Sequence, residues 1–238
     1  MVGGNARFRN GACALALSHR RLDEAIWKIK ILKGVNALYR EKASYFDDQV
    51  GSPWASDPYC PSEMAKLDRL FKQTGALKGL WLFEPGCGTG RLTEILAEKV
   101  GESGRVVALD ISARMVELAR QRVSGRRNVE VHQQTLEDLP LGERTFDLIL
   151  CHQVFPHLED KANALAKMGR ALKPGGQLII FHFIGFKEIN NRHRKAGTAV
   201  EDDLMPGAEE MKKLLSDAGF KIRLWEDDDQ GYFLHVTK

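Results

Sequence analysis

The sequence predicts a doubly wound α/β fold built on a mostly parallel, seven-stranded sheet, with a helical extension at the N-terminus. Three observations predict this class. From Gly79 onward, short apolar runs alternate with amphipathic helical segments; a glycine-rich turn follows the first run; and only a few residues separate the last two runs. Parallel strands require crossover helices between them, so the alternation indicates a parallel sheet. The short final link leaves no room for a helix, so we predict that the last strand is antiparallel.

Each element carries its own signal. The predicted strands are apolar runs bounded by turn residues, and the predicted helices repeat apolar residues at three- and four-residue spacing. We predict strands at residues 79–84, 105–110, 128–133, 146–151, 177–183, 220–225 and 232–237, and helices at 64–73, 92–100, 113–123, 161–172 and 209–218. The run Lys173-Pro174-Gly175-Gly176 is expected to end the helix at 161–172.

The N-terminal part of the chain differs from this core in charge. Residues 1–44 hold nine Lys or Arg against three Asp or Glu, although the net charge of the whole chain is only +3. Apolar residues at helical spacing predict a helix over 18–32, whose basic side either faces solvent or meets a membrane surface or an acidic partner. Glycine and proline then predict a loop over 47–62. We therefore divide the chain into an extension or lid, 1–74, and a core, 75–238.

Composition excludes several classes of protein. The 238 residues are 43% hydrophobic and 28% charged, as in ordinary globular domains. No run of 18 apolar residues occurs, so no transmembrane span is expected. The four cysteines are scattered without a C-x-x-C pair, which argues against a metal site and a disulfide framework and favours a reduced, cytoplasmic location. The core has no basic stripe interleaved with aromatic residues, so no nucleic-acid partner is expected.

The strongest local signal is Glu84-Pro85-Gly86-Cys87-Gly88-Thr89-Gly90, which lies between a predicted strand and a predicted helix. Open α/β sheets bind ligands at such carboxyl ends of strands, and alternating glycines let the backbone turn and approach a ligand closely. A dinucleotide fingerprint would need its third glycine where Arg91 stands, and a phosphate-binding P-loop would need Lys after Gly90. The run therefore matches neither of these two motifs.

An acidic residue followed by G-x-G-x-G resembles the first motif of class I S-adenosylmethionine-dependent methyltransferases. Further motifs of that family follow in the expected order over roughly residues 66–183: Val106-Val107-Ala108-Leu109-Asp110-Ile111-Ser112, Glu137-Asp138-Leu139-Pro140, Phe146-Asp147-Leu148-Ile149 and Leu172-Lys173-Pro174-Gly175-Gly176. The resemblance implies a Rossmann-like methyltransferase fold, methyl transfer as the activity and S-adenosylmethionine as the cofactor.

Candidate cofactor contacts follow from the residues and from the resemblance. Asp110 ends the second predicted strand, where its carboxylate can accept hydrogen bonds from ribose hydroxyls. Glu84 and backbone groups near Gly86 can meet the ammonium group. By the resemblance, Met115 would lie over the adenine. The family often has Gly-Asp-Ala where this chain has Gln134-Thr135-Leu136, so Glu137, Asp138 or backbone groups are expected to receive the adenine amine. The predicted set is Glu84, Gly86, Cys87, Gly88, Gly90, Asp110, Ile111, Met115, Leu136, Glu137 and Cys151.

The acceptor is harder to predict, because methyl transfer from a sulfonium needs mainly alignment and, for a protonated acceptor, removal of a proton. The Asn/Asp-Pro-Pro-Tyr/Phe run of enzymes that methylate DNA bases is missing after the fourth strand, which favours a small organic molecule. His182 and His193 are the predicted catalytic bases, since histidine titrates near neutral pH. We expect an insertion at 184–206 to cover the substrate, which would contact His157, Asn190, Tyr45 and Trp54.

Other functions stay open at this point. The chain could be a non-catalytic regulatory protein that binds S-adenosylmethionine, or an RNA or protein methyltransferase that docks through its basic N-terminal helix. A nicotinamide-dependent oxidoreductase on a related fold is a third alternative, although its glycine pattern is missing. A homodimer is possible in each case.

Overall fold

A computed structural model describes residues 39–238 of the chain. The helix predicted over 18–32 lies outside the described residues. Seven strands form one sheet in the order β3-β2-β1-β4-β5-β7-β6. Their bounds are Trp81–Pro85 (β1), Arg105–Asp110 (β2), Val129–Gln133 (β3), Phe146–His152 (β4), Leu172–His182 (β5), Lys221–Asp228 (β6) and Gly231–Thr237 (β7). The predicted fold class is confirmed.

The order of the strands reverses between β1 and β4. From β1 the chain moves outward through β2 to β3, and then returns to place β4 on the other side of β1. The carboxyl ends of β1, β2 and β4 therefore surround one crevice, which is where open α/β sheets bind ligands.

The last strand is antiparallel, as predicted. β7 pairs in antiparallel fashion with β5 on one side and β6 on the other. Two residues separate β6 from β7, too few for a crossover, so the chain returns as a hairpin and inserts its last strand between two existing ones.

Within the described residues, three helices precede β1: α1 (Arg40–Asp48), α2 (Pro53–Ser56) and α3 (Pro61–Thr74). The loop expected over 47–62 is therefore wrong in part. The prolines there do not break helices: Pro53 and Pro61 are the first residues of α2 and α3, where a missing N–H costs nothing. At the start of α3, the backbone N–H of Cys60 donates to the Glu63 carboxylate at 2.9 Å, which completes a capping box.

Five further helices cross between strands or follow them; four of them were predicted within about two residues, and the one at Phe186–His193 was not. They are α4 (Arg91–Val100), α5 (Ala113–Arg122), α6 (Lys161–Ala171), α7 (Phe186–His193) and α8 (Ala208–Asp217), with a 3₁₀ turn at Phe155–His157. One boundary differs: α6 ends at Ala171, and β5 begins at Leu172 and includes the Lys-Pro-Gly-Gly run. The Lys173 ammonium pairs there with the Asp147 carboxylate at 2.8 Å, which holds this run against β4.

Helices cover both faces of the sheet. Leu67 and Leu70 of α3 and Leu96 of α4 pack with strand residues in one buried apolar cluster. On the opposite face α6 packs against β4, where the Cys151 sulfur lies 3.7 Å from the Met168 sulfur. Burial on both faces explains why the strands are almost continuously apolar. Within residues 39–238, no helix combines the length and apolarity needed to cross a membrane.

Candidate active site

The glycine-rich turn joins β1 to α4 and has a backbone that few other residues could adopt. Gly86, Gly88 and Gly90 have φ angles of 70°, 53° and 80°. A Cβ on Gly86 would lie 2.2 Å from Cγ2 of Val154, and one on Gly90 would lie 2.9 Å from Cα of Ala119. The three alternating glycines therefore serve a close backbone approach as well as a turn.

Asp110 connects this turn to the end of β2. One carboxylate oxygen accepts from the Gly88 N–H and the other from the Ser112 N–H, each at 2.9 Å. Burial raises the pKa of Asp110, and the backbone hydrogen bonds partly offset that rise. A carboxylate can accept more hydrogen bonds than these, so the group is held in place with capacity left for a hydroxyl donor of a ligand.

A pocket of about 690 Å³, partly continuous with solvent, opens above these groups. Predicted cofactor residues form its inner wall: Gly86, Gly88, Asp110, Ile111, Met115, Leu136 and Glu137. Aromatic and apolar groups form its outer wall together with a histidine: Tyr39, Phe46, Trp54, Val154, Leu158 and His157. The structure thus brings most of the predicted cofactor residues together with two of the predicted substrate residues.

Four predicted cofactor residues lie behind this wall. Glu84 is 2% exposed and accepts a hydrogen bond from the Thr93 hydroxyl at 2.7 Å, and burial raises its pKa to about 8. Cys87 packs in a small apolar cluster with α5, and Gly90 supports the turn at the start of α4. Cys151 is fully buried against α6, and burial raises the pKa of its thiol. A role of these four residues in cofactor binding stays a prediction.

The two predicted catalytic histidines also lie outside the pocket wall. His182 is 4% exposed, its Nε2 atom is buried without a hydrogen-bond partner among residues 39–238, and burial holds its pKa well below the usual value. His193 lies behind His157, with 4.7 Å between the two ring centroids, and its Nδ1 contacts the backbone oxygen of Asp203. Burial lowers the pKa of His193 as well.

Two predicted substrate residues have structural contacts instead. Asn190 accepts from the Met205 N–H at 2.8 Å and donates to the Met205 carbonyl at 3.2 Å, so it fastens the segment after α7. Tyr45 packs edge-on against Phe46, with ring centroids 5.2 Å apart, and lies outside the wall. Neither placement tests the predicted contact with substrate.

Sequence reasoning missed several residues of the site. Gln153, immediately after β4, lines the pocket with a φ of 54°, which is uncommon for a residue with a side chain. Lys42 and Asp203 are 161 positions apart and form a buried ion pair next to the pocket residue His157. Asp47 of α1 accepts from the Ser112 hydroxyl at 2.5 Å and from the Arg114 N–H at 3.0 Å. No local spacing in the sequence could have indicated these pairs.

The fold and the site together define a class of protein, an α/β enzyme that binds a nucleoside cofactor without phosphate recognition. A carboxylate ends β2, and no Lys or Arg lies in the pocket wall formed by residues 39–238. S-adenosylmethionine fits these groups: Asp110 would hold the ribose hydroxyls, Met115 and Leu136 would contact the base, and the glycine turn leaves room that a Cβ would fill.

Comparison with known proteins agrees with this description. The family described as "Methyltransferase domain" matches residues 83–180. The chain is 31% identical over 185 residues to the ubiquinone/menaquinone biosynthesis C-methyltransferase UbiE of Cronobacter sakazakii, covering 65% of this chain and 74% of that protein. It is 34% identical over 153 residues to the enzyme of the same name from an Enterobacter species (strain 638), covering 61% and 60%.

Among solved structures, a SAM-dependent methyltransferase from Aquifex aeolicus matches with a TM-score of 0.58 at 25% identity, over 82% of this chain and 95% of that chain. The chain therefore belongs to the class I S-adenosylmethionine-dependent methyltransferases and transfers a methyl group from that cofactor. The predictions of enzyme, reaction and cofactor are confirmed. The comparisons do not favour the oxidoreductase, regulatory and macromolecular alternatives.

Proposed function

We propose that the acceptor is a small, uncharged aromatic molecule of the phenol or hydroquinone type. The observation that supports this most directly is the outer wall of the pocket, where Tyr39, Phe46 and Trp54 present three aromatic side chains. Aromatic walls favour flat, apolar ligands through burial and edge-to-face packing. The charged groups of the wall within residues 39–238 are carboxylates, Asp110 and Glu137, apart from a titratable histidine. An acceptor with a phosphate or carboxylate would meet no cation there.

The relatives support the same acceptor class. The curated relatives at 31% and 34% identity are both named as C-methyltransferases of ubiquinone and menaquinone biosynthesis. Those names describe methylation on carbon in the biosynthesis of quinones. Because this chain covers 74% and 60% of those proteins, their reaction is carried over here as part of the proposal.

The chain's own residues would align the acceptor, exclude water and take up its proton. Bound S-adenosylmethionine supplies a methyl group already activated on a sulfonium. Val154 packs over Gly86 and so sets the floor of the acceptor side. The aromatic side chains of the outer wall would orient the ring, and His157 is the titratable base in the wall. Alignment and exclusion of water account for most of the acceleration expected in such a transfer.

We also propose that the extension and the insertion cover the acceptor side together. Two anchors of α1 support this role. Asp47 binds the start of α5, directly after the predicted ribose residue, and Lys42 binds Asp203 in the segment after α7. Lys42 and Asp47 belong to the predicted extension, 1–74, and Asp203 belongs to the predicted insertion, 184–206, within the core, 75–238.

The test combines calorimetry with an acceptor panel. Full-length protein is titrated with S-adenosylhomocysteine and then incubated with methyl-labelled S-adenosylmethionine and matched neutral or carboxylated hydroquinones, phenols and naphthohydroquinones. We expect methylation of the neutral members and at least tenfold lower kcat/KM for their carboxylated counterparts. Equal or better use of the carboxylated members would overturn the acceptor class, and methylation of RNA alone would replace it with a macromolecular acceptor.

The finer predictions of cytoplasmic location and homodimer formation belong with this proposal. Localisation of a tagged full-length chain checks the first, and light scattering of the purified protein checks the second.

A further inference from the structure

A charged cluster lies directly behind the acceptor side of the pocket; the side chains of Lys42 and Asp203 are buried in it, 6% and 12% exposed, whereas that of Glu159 at its edge is 41% exposed. It joins three parts of the chain: Lys42 of α1, Glu159 after the 3₁₀ turn, and Asp203 in the segment between α7 and α8. Its fourth member, His157, is the one that also lines the pocket. Removing the Lys42 and Asp203 charges from water costs free energy, which their mutual contacts must offset.

Lys42 has every donor of its ammonium group engaged. It donates to the Glu159 carboxylate at 2.6 Å, to the Asp203 carboxylate at 2.8 Å and to the backbone oxygen of His157 at 3.2 Å. An ammonium has three N–H donors, so these three contacts leave none free. The side chain is 6% exposed, so this lysine is a buried charge held in one position and not a surface charge.

Asp203 divides its two carboxylate oxygens between two partners. Oδ1 accepts from Lys42 at 2.8 Å, and Oδ2 lies 2.7 Å from Nδ1 of His157. Although burial opposes ionisation, the hydrogen bonds and charges of His157 and Lys42 outweigh it and lower the pKa of Asp203. An ionised carboxylate can only accept hydrogen bonds, so Nδ1 of His157 must carry the proton.

This arrangement decides which nitrogen of His157 is available for chemistry. In a neutral imidazole with the proton on Nδ1, the lone pair is on Nε2. No other side chain of residues 39–238 hydrogen-bonds this ring, and the ring forms part of the pocket wall, edge-on to Phe46 at 5.0 Å. His193 has a similar arrangement, because its Nδ1 contacts the Asp203 backbone oxygen. Unlike His157, it does not line the pocket.

We propose that His157 is the catalytic base for the acceptor, and that Asp203, fixed by Lys42, is a positioning residue that presents Nε2 of His157 to the pocket. The proposal deepens the function proposed above and rests on an acceptor that has a proton to lose. It assigns a role to two residues, Lys42 and Asp203, that come from the N-terminal extension and from the insertion.

The nucleophilic carbon or oxygen of the acceptor forms a bond to the methyl carbon, while the bond between that carbon and sulfur breaks and its electron pair stays on sulfur. The acceptor's proton goes to Nε2 of His157. A neutral acceptor and a sulfonium thus become a methylated product, neutral S-adenosylhomocysteine and an imidazolium, which the Asp203 carboxylate stabilises through Nδ1–H.

The tautomer of His157 tests the positioning role without any acceptor. Long-range ¹H–¹⁵N spectra of the full-length protein at alkaline pH, assigned with His157→Gln, report which ring nitrogen carries the proton. We expect Nδ1–H in the native protein and in the control Asp202→Asn, whose side chain is exposed. In Asp203→Asn we expect a shift toward Nε2–H, because an amide can donate to Nδ1. Nε2–H in the native protein would overturn the proposal even if the variant failed to fold.

Turnover tests the catalytic role. With the hydroquinone methylated best by the native protein, His157→Gln and Asp203→Asn should each lower kcat roughly 100-fold or more. The acceptor KM and the affinity for S-adenosylhomocysteine should change less than threefold. Asp203→Glu should recover part of the loss. Rates equal to those of Asp202→Asn would overturn the proposal. If the native protein binds S-adenosylhomocysteine but methylates no member of the panel, the acceptor class fails, while the tautomer still decides the positioning role.

Discussion

Replacing Glu84 by Gln should make the cofactor-free protein more stable, by an amount that depends on pH. Burial raises the pKa of this carboxyl from 4.5 to about 8, and the Thr93 hydroxyl is its one side-chain partner in residues 39–238. Between these two values the folded protein holds a proton that the unfolded chain releases. Glu84 therefore costs stability progressively as the pH rises through this window.

The size of the effect follows from that window. Each pH unit corresponds to about 1.4 kcal/mol for one proton, so at pH 7 the cost is about 3 kcal/mol relative to an uncharged side chain. Gln keeps the shape and can still accept from Thr93 through its amide oxygen. We expect Glu84→Gln to exceed the native protein in unfolding free energy by about 3 kcal/mol at pH 7, and to gain almost nothing at pH 4.5.

Urea unfolding of both proteins at half-unit intervals from pH 4.5 to 8, without cofactor, measures this difference. Glu102→Gln, at an exposed position, is the matched control and should show no pH-dependent difference. The same Glu84 variant should bind S-adenosylhomocysteine more weakly, because Gln cannot give up a proton to form the carboxylate that would meet the ligand's ammonium group. A difference in unfolding free energy that is constant across the pH range would refute the reasoning.

Three further predictions address the site and the core. Asp110→Ala should weaken S-adenosylhomocysteine binding roughly 100-fold or more in calorimetry, since the two predicted hydrogen bonds from the ribose hydroxyls to this carboxylate would be lost. Gly86→Ala should lower the unfolding free energy by about 1–3 kcal/mol, because its Cβ would meet Val154 at 2.2 Å and its φ is +70°. The third concerns His152, because burial lowers its pKa from 6.5 to about 4. The neutral side chain contributes stability above pH 6.5, and this contribution is lost as the pH falls toward 4. Between these two pH values, the unfolding free energy of His152→Gln should therefore fall by about 3 kcal/mol less than that of the native protein.

Each of these predictions has a result that contradicts it. Unchanged affinity in Asp110→Ala would remove the predicted ribose contact. Gly51→Ala is the control for Gly86, because an added Cβ there meets nothing within 4 Å, and equal effects of the two changes would contradict the steric argument. Unfolding curves of His152→Gln that stay parallel to the native ones from pH 7 to 4 would contradict the burial argument.

The cofactor side of the site could be predicted because its signals are local. The turn from Gly86 to Gly90 is one continuous run, and Asp110 ends a strand whose place beside β1 follows from the alternation of elements. These residues act largely through backbone conformation, which glycine reveals directly in a sequence. Met115 could be placed in the pocket wall for a similar reason, since it belongs to the first turn of the helix that follows.

The acceptor side could be predicted only in outline. His182 and His193 were chosen because they lie near the carboxyl edge of the sheet, and topology cannot tell which side of a strand or helix faces the pocket. Trp54 and His157 do line the wall, and the prolines near Trp54 concealed a helix start. Side-chain direction within a correctly placed element was the missing information.

The sequence by itself determined the class of fold, the glycine turn, the acidic residue at the end of β2 and, through them, the cofactor. These are properties of single segments, set by periodicity, turn chemistry and backbone freedom. Only the tertiary structure decided that Lys42, His157 and Asp203 meet, and that Glu84 is buried with a raised pKa. Along the chain, Lys42 is 115 positions from His157 and 161 positions from Asp203. Packing brings them together, and its free energy is summed over the whole core, so no single segment of the sequence reveals it.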